Sequence, residues 1–292
     1  MLRNMQGCFS LAGGSPKPCK QIFKMYPILN YCFFRNFAYN ACINKPDASK
    51  EQKRREKALQ VHTYIYEKPY SAQLVVAALN EEHGIGPTLT EFIDNLNIPK
   101  VLVIDGHSRD RTVEIAKNLG AEIAVQDGTG KGNAIAKALE YIDSSMKYVI
   151  LTDADYTYPA KYVPEMIEIL ERYPQVGMVC GNRFSGEIEP KAVRSSFYFG
   201  NKLLAFAHNL LNGVSLIDPL TGLRVVRADI LRDWSVKSQG FDIEVEINHH
   251  VERKGYTIVE VPIKYRQRLG KKKLKAKHGI TILKRILQEA TR

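Results

Sequence analysis

The sequence predicts an α/β fold in which helices cover both faces of a mostly parallel central sheet. Three observations predict it. Short runs rich in Val and Ile recur from residue 71 onward, and a helical period follows each of them. The runs are apolar throughout, as expected for strands that are buried on both faces. Polar turns rich in Gly and Asp separate the runs from the helices, as in βα units.

Five strands are predicted in the first half of this region. They are QLVVAAL (73–79), KVLVID (100–105), AEIAVQ (121–126), KYVILT (147–152) and VGMVCG (176–181). Amphipathic helices are predicted between them, around 88–96, 112–119, 133–142 and 161–173. Ligands of such sheets bind outside the carboxyl ends of the strands, so the turns after these strands are the expected site.

The second half has a less regular pattern. It predicts a long helix, a loop entering a strand, a helix ended by Gly255, a further strand and a C-terminal helix. These elements are 196–211, 218–226, 241–255, 256–265 and 279–290.

The net charge of +11 over 292 residues is unevenly distributed. Lys and Arg outnumber Asp and Glu by 12 to 4 in residues 1–70 and by 11 to 1 in 264–292, whereas 71–263 carry 19 against 26. A duplex-binding protein would usually place its basic face on the folded body. Basic ends instead favour an anionic surface such as a membrane, with solvated ends as the alternative. Residues 1–70 are predicted to be a weakly ordered basic extension.

The five cysteines form no metal-binding pattern. Their odd number and the lack of a signal peptide predict a reducing, cytoplasmic location. No transmembrane helix is predicted, because the apolar stretch 203–217 is too short. A protein of this kind that meets a membrane would lie on its surface.

Asp153 and Asp155 directly follow the strand 147–152. Two carboxylates this close repel each other unless a cation lies between them. Oxygen ligands select a hard divalent ion, so the pair predicts Mg²⁺ or Mn²⁺. The alternative is a helix cap followed by an acidic surface residue.

Two other turns are candidate ligand sites. In DGHSRDRT (105–112), Asp105 is a candidate acceptor for a nucleobase or ribose and Asp110 a candidate helix cap, although both are also common turn residues. The glycine-rich GTGKGN (128–133), which includes Lys131, would let the backbone approach a phosphate. It lacks the spacing of a Walker loop.

Eight segments together resemble glycosyltransferase family 2 in order and spacing. They are VVAALNEE, VLVIDGHSRDRT, GKGNAI, VILTDADYTYP, VCGNRF, DPLTGLRV, GFDIEVEI and VPIKYRQRLGKKKL. The resemblance runs from residue 71 to about 285 and is strongest to the dolichyl- and polyprenyl-phosphate hexosyltransferases, the group containing dolichol-phosphate mannose synthase. It implies a GT-A fold over 71–292, a nucleotide-sugar donor, a divalent metal, a lipid phosphate acceptor and inversion at the anomeric carbon.

The resemblance also implies a role for individual residues. On the donor side, Asp153 and Asp155 would hold the metal and the diphosphate. The nucleotide pocket would contain Leu79, Asn80, Glu81 and Asp105, and the loop under the sugar Asp218, Thr221, Gly222 and Arg224. Glu244 or Glu246 would contact sugar hydroxyls. On the acceptor side, Arg183 and Arg194 would meet the lipid phosphate, and Arg268 and Lys273 would close over the phosphates.

Three positions depart from the family pattern. Gly106 and His107 replace the second acid and the glycine of D-D-G-S, Thr157 replaces a glutamine that joins the metal in mannose synthases, and Lys272 replaces the serine of R-x-G-x-S-K-L. The nucleobase and the third protein ligand therefore stay open. The Q-x-x-R-W signature of processive synthases is missing, so polymerisation is not expected.

A lipid phosphate has a second pKa near 6 and is a nucleophile at neutral pH without a general base. The protein then needs cations that position it, a task that Arg183, Arg194, Arg268 and Lys273 fit. No catalytic histidine is required, and His249 and His250 are predicted to be structural.

The C-terminal helix is predicted to be amphipathic and basic. Its apolar face would carry Ile280, Ile282, Leu283, Ile286, Leu287 and Ala290, with Lys284 and Arg285 opposite. Such a helix would rest on an anionic membrane or pack on the protein's own sheet.

Three functions are compatible with the sequence. The first is metal-dependent transfer of one hexose from a UDP- or GDP-linked sugar to dolichyl or polyprenyl phosphate. The second keeps the fold but uses a soluble phosphorylated or glycan acceptor, and the third is a non-catalytic module that binds nucleotide-sugars or membranes. Glucose, N-acetylglucosamine and mannose stay open as the sugar.

Overall fold

Seven strands form one mixed sheet in the computed structural model, in the order β3-β2-β1-β4-β6-β5-β7. The structure describes residues 69–185, 196–212, 215–275 and 277–291, all within one compact unit, His62–Arg292. The basic extension up to residue 68 and Arg194 lie outside the described residues. The strands are β1 Ala72–Ala78, β2 Lys100–Asp105, β3 Glu122–Val125, β4 Tyr148–Asp153, β5 Val176–Asn182, β6 Arg224–Arg227 and β7 Thr257–Pro262.

The strand directions confirm a mostly parallel sheet. β1 lies between β2 and β4 and is parallel to both, while β6 is antiparallel to its neighbours β4 and β5. In the register, Ala77 pairs with Asp153 and Ala78 with Asp105. The carboxyl ends of β1, β2 and β4 therefore lie side by side, and their turns meet at one edge of the sheet.

Helices cover both faces of the sheet, as predicted. Leu74 and Val76 of β1 point into one core cluster, which includes α1 and α4, whereas Val75 points into the other, which includes α3 and α7. The helices are α1 Ile85–Leu96, α2 Thr112–Asn118, α3 Lys131–Leu139, α4 Val163–Arg172, α5 Ser196–Asn212, α6 Ala228–Arg232, α7 Ile243–Arg253 and α8 Lys277–Ala290. Within the described parts of the chain, no helix is both long enough and apolar enough to span a bilayer.

The predicted faces of the C-terminal helix α8 are wrong in one respect. Arg285 is not opposite the buried side, because only 8% of it is exposed and its Nε donates to Asp242 Oδ2 at 3.1 Å. It also pairs with Glu289, which is itself buried. The buried face of α8 also holds Ile282 and Ile286. The helix therefore packs on α7 through both polar and apolar contacts.

Candidate active site

A cavity of about 710 Å³ opens at the carboxyl ends of β1, β4 and β5, a volume typical of small-molecule sites. The end of β1, the start of α3, the loop before β6 and the segment after β7 contribute to its wall. Ten of the predicted site residues line it: Leu79, Glu81, Lys131, Asp153, Asp155, Arg183, Gly222, Glu244, Arg268 and Lys273.

The Asp155 carboxylate is fixed from one side. Thr157 donates its hydroxyl to Asp155 Oδ1 at 2.5 Å and its N–H to the same oxygen at 3.2 Å. The other oxygen, Oδ2, faces Arg268 at 3.2 Å. Thr157, one of the positions that depart from the family pattern, thus orients the second aspartate.

Lys131 is the direct partner of Asp153. Its Nζ lies 2.6 Å from Asp153 Oδ1 and 2.7 Å from Glu244 Oε1. Burial alone would lower the pKa of Lys131, but the two carboxylates raise it above its usual value. Gly130 and Gly132 have no room for a Cβ against the backbone of Ser238 and Gln239. The glycines therefore allow close packing of the chain, while Gly130 and Lys131 both line the cavity.

The two aspartates have opposite pKa shifts. Burial and the nearby Asp153 raise the pKa of Asp155. Burial also opposes ionisation of Asp153, but Lys131 outweighs it and holds the pKa of Asp153 below its usual value. Negative charge at Asp155 is thus destabilised by its surroundings, and an added cation would stabilise it.

The donor atoms in this cavity fit a hard divalent cation. Its carboxylates come from Glu81, Asp153, Asp155 and Glu244, and Glu81 Oε2 and Glu244 Oε2 are buried without a hydrogen-bond partner. No group of three His, Cys, Asp or Glu suited to a metal exists in the described parts of the chain. Asp153 and Asp155 stay the predicted ligands, and substrate and water oxygens would complete the shell of the ion.

The segment after β7 folds back over the end of β1. Arg268 lies 2.8 Å from Glu81 Oε1, and Lys273 pairs with the same oxygen. Lys273 also donates to the Asn80 carbonyl at 3.0 Å, and the Leu269 N–H to the Asp155 carbonyl at 3.0 Å. Burial raises the pKa of Glu81, with Lys273 and Arg268 opposing that shift. Arg268 and Lys273 are thus held beside Glu81 at the edge of the sheet where the carboxyl ends of the strands meet.

Arg183 is positioned by a buried carboxylate. Its Nε and Nη2 each donate to Asp218 at 2.7 Å, and its own N–H donates to Asp218 Oδ2 at 3.0 Å. The Asp218 N–H in turn donates to Glu260 Oε1 at 2.7 Å. Asp218 does not line the cavity, so it acts on the site through Arg183.

Five other predicted residues do not line the cavity. The Asp105 carboxylate accepts the N–H of Ser108, and Asn80 Oδ1 accepts the N–H of Arg109. Arg224 donates to the carbonyls of Pro219 and Thr221 and so holds the loop before β6. Glu246 accepts the N–H groups of Lys237 and Ser238, so of the two glutamates of α7 it is Glu244 that lines the cavity. Thr221 is fully buried.

Sequence reasoning missed two tyrosines in the cavity wall. The Tyr158 hydroxyl accepts the Gly222 N–H at 2.7 Å, and its ring meets that of Tyr265 edge-on at 5.2 Å. The Arg183 guanidinium lies 5.5 Å from the Tyr265 ring centre. Tyr158 belongs to the DADYTYP turn, so its distance of three residues from Asp155 was the available signal. His249 and His250 do not line the cavity.

Similarity to known proteins identifies the family of the chain. Residues 73–234 match the model of Glycosyl transferase family 2. A dolichyl-phosphate hexose transferase of Haloferax volcanii is 34% identical over 230 residues, covering 75% of this chain and 95% of the relative. An undecaprenyl-phosphate mannosyltransferase of Micrococcus luteus is 27% identical over 216 residues, covering 68% and 86%.

Solved structures share the fold. Glucosyl-3-phosphoglycerate synthase of Mycobacterium tuberculosis in complex with Mg²⁺ and uridine-diphosphate aligns with a TM-score of 0.61 at 17% identity, covering 75% of this chain and 79% of the other. A complex of that enzyme with Mn²⁺, uridine-diphosphate and glucosyl-3-phosphoglycerate aligns at 0.59. The chain has a GT-A fold, and with the family match over more than half its length it belongs to glycosyltransferase family 2.

Proposed function

We propose that this enzyme transfers one hexose, with inversion, from a UDP- or GDP-linked sugar to dolichyl or polyprenyl phosphate, using Mg²⁺ or Mn²⁺. The observation that carries the proposal is the cavity itself. It brings the Asp153 and Asp155 carboxylates together with four cationic side chains from distant parts of the chain, Lys131, Arg183, Arg268 and Lys273. We place the reaction at the cytoplasmic face of a membrane, with residues 71–292 as the catalytic domain.

The charges of the cavity support two phosphorylated substrates. Six Lys and Arg side chains line it against four Asp and Glu. Two of these cations are paired from behind the wall, Arg183 with Asp218 and Arg266 with Glu91, so the site is about neutral and a divalent ion would give it about two positive charges. The diphosphate of a nucleotide-sugar carries about two negative charges, and a phosphate monoester about −1.5 to −2 at neutral pH. The metal-loaded site would therefore attract both substrates.

The displacement needs no proton transfer. A lipid phosphate oxygen forms the new bond to the anomeric carbon as the bond to the diphosphate oxygen breaks, so the electron pair leaves with the nucleotide. When bound, the metal acts as a Lewis acid that stabilises the charge of the leaving diphosphate. Lys131 and Glu244 lie beside Asp153, where the sugar would sit. Arg183, Arg268 and Lys273 would orient the phosphates.

A lipid acceptor is favoured by the apolar part of the same wall and by the relatives. Phe184, Leu220, Phe241 and Ile282 line the cavity together with the charged residues. A water-soluble phosphorylated acceptor would not need such a surface. The two relatives described above are named for dolichyl-phosphate and undecaprenyl-phosphate transfer.

Incubation with a nucleotide-sugar, Mn²⁺ and a short-chain polyprenyl phosphate in detergent should give a lipid-linked hexose detectable by mass spectrometry. The donor is identified first by thermal shift with UDP-glucose, UDP-N-acetylglucosamine and GDP-mannose. A true ligand stabilises the fold by about 2.7 kcal/mol at 100 times its Kd. The proposal would be contradicted if product formed only with a soluble phosphorylated acceptor. It would also be contradicted if no product formed with any of these donors.

Gly222→Ala should impair transfer without unfolding the protein. A Cβ at this position would lie 2.5 Å from Asp153 Oδ2 and 2.9 Å from Tyr158 Cε2, so the carboxylate must move. Displaced metal ligands and their supports typically cost about 10–100-fold in metal affinity or activity. Steady-state rates across a Mn²⁺ titration measure the effect.

The matched control for this change is Gly279→Ala. An added Cβ there meets no heavy atom within 4 Å, so the rate and the Mn²⁺ dependence should match those of the unmodified enzyme. Equal Mn²⁺ dependence of Gly222→Ala and the control would mean that Asp153 does not hold the ion.

A further inference from the structure

The long helix α5 exposes an apolar side and buries a histidine. From Phe199 to Asn212, its exposed positions are all apolar or glycine: Phe199, Gly200, Leu203, Phe206, Leu210 and Leu211. Four of them, spaced 199, 203, 206 and 210, are 64–68% exposed. The fully buried residue is instead His208, whose ring contacts Asn248 and Asn212. Helices of soluble domains show the opposite arrangement.

The C-terminal helix α8 also exposes an apolar stripe, in addition to the buried Ile282 and Ile286. Ile280, Leu283 and Leu287 are exposed along one side, spaced by three and four residues. Arg285 and Glu289 are buried on the side that packs on α7. The apolar stripe therefore does not serve the packing of this helix on the protein.

Helices α5 and α8 lie together beside the cavity. α5 packs against α8, and Leu204 of α5 joins the buried Ile282 and Ile286 of α8. Asn201 of α5 and Ile282 of α8 also line the cavity. With 1.5 Å per residue, the exposed stripes extend about 16 Å on α5 and about 10 Å on α8. Exposed apolar surface of this kind marks an interaction site.

The charge around these stripes is of one sign. Residues 199–212 contain no Asp or Glu, and the one acidic residue of α8, Glu289, is buried. Lys271, Lys275 and Lys284 are exposed on α8 and on the segment before it. A second copy of this chain, docked through the same face, would bring like charges together. Anionic lipid headgroups would instead neutralise the lysines.

We infer that α5 and α8 form a membrane-docking surface for an anionic bilayer. The stripe residues enter the interfacial region, and the three exposed lysines contact headgroup phosphates. The open side of the cavity then lies next to the lipid, where a phosphate on a long apolar chain can enter without leaving the bilayer. This last step rests on the proposed function, whereas bilayer binding itself does not.

Flotation of the full chain with vesicles tests the surface without donor or acceptor. The protein should bind vesicles that contain phosphatidylglycerol more tightly than vesicles of phosphatidylcholine alone. Leu203→Gln/Phe206→Gln/Leu210→Gln should bind both at least about tenfold more weakly. Lys271→Gln/Lys275→Gln/Lys284→Gln should lose about tenfold or more on the anionic vesicles only. Leu119→Gln/Val125→Gln changes exposed apolar residues elsewhere and should bind normally.

Tryptophan fluorescence is a second readout, and it does not require a variant that removes apolar residues from the surface. The chain has one Trp, the buried Trp234, so Leu203→Trp adds one reporter on the stripe. Brominated lipids should quench this reporter but not one introduced by Val125→Trp. The inference would be overturned if the unmodified protein did not bind anionic vesicles, or if both reporters were quenched equally. So would a dimer in sedimentation that the α5 variant dissociates.

Transfer in detergent separates this inference from the proposed function. The α5 variant should keep its rate with a detergent-dispersed short-chain acceptor and lose it with acceptor embedded in vesicles. An unmodified enzyme that binds vesicles but transfers to no lipid phosphate would contradict the proposed function and leave the docking surface standing.

Discussion

Asp155→Asn should lower the transfer rate by at least about 1,000-fold, which corresponds to about 4 kcal/mol of transition-state stabilisation. The amide keeps the size of the side chain and can still accept from Thr157, which holds Oδ1 at 2.5 Å. It removes the charge that would bind the ion and places an NH₂ group toward Arg268. The fold should survive, so initial rates and a thermal melt are measured on the same sample.

Asp127→Asn is the control for this prediction. Its side chain is 83% exposed and it lies on the loop that leads to Lys131, so loss of its charge should leave the rate within twofold or so of normal. Chelation of divalent ions should reduce the unmodified enzyme to the level of Asp155→Asn. Full transfer by this variant, or full transfer in excess chelator, would remove the metal from the mechanism.

Asp218→Asn should destabilise the protein by about 3–5 kcal/mol, because it removes one partner of a buried ion pair. Only 1% of the Asp218 side chain is exposed, and it accepts three hydrogen bonds from Arg183. The guanidinium would stay buried and charged. Denaturation by urea should show a lower midpoint with an unchanged m-value. Transfer should also fall, because Arg183 loses the contact that aims it into the cavity.

Pairing this change with Arg183→Met separates the two effects. Replacing both partners by uncharged residues avoids the isolated charge, so much of the stability should return. Activity should not return, because the cation itself is gone. An Asp218→Asn protein with the midpoint of the unmodified chain would show that the pair is not a stabilising contact, and recovered activity in the double variant would show that Arg183 does not act in the cavity.

The order of strands and helices was predictable because continuous apolar runs and helical periods are local properties of the chain. The meeting of Asp153 with the end of β1 was predictable too, since the carboxyl ends of parallel strands share one edge. The insertion of the antiparallel β6 between β4 and β5 was not, because strand order depends on contacts between distant segments.

Most features of the site that the sequence does not predict depend on which groups the long side chains reach. Lys131 was considered for its glycine-rich loop, but its reach to both Asp153 and Glu244 depends on how α3 and α7 approach each other. The choice between Glu244 and Glu246 depends likewise on the direction in which α7 faces. For α8, the period identified an apolar stripe but not whether that stripe faces the protein, and the structure buries Arg285.

The pairing of Glu81 with Arg268 joins residues 187 positions apart in the chain. Lys273, which contacts the same glutamate, follows even later. Synthesis proceeds from the N-terminus, so these two cations exist only after residues 268 and 273 have been translated. A chain translated up to β6 already contains both aspartates, yet it lacks Arg268 and Lys273. The proposed sugar transfer therefore requires translation past residue 273.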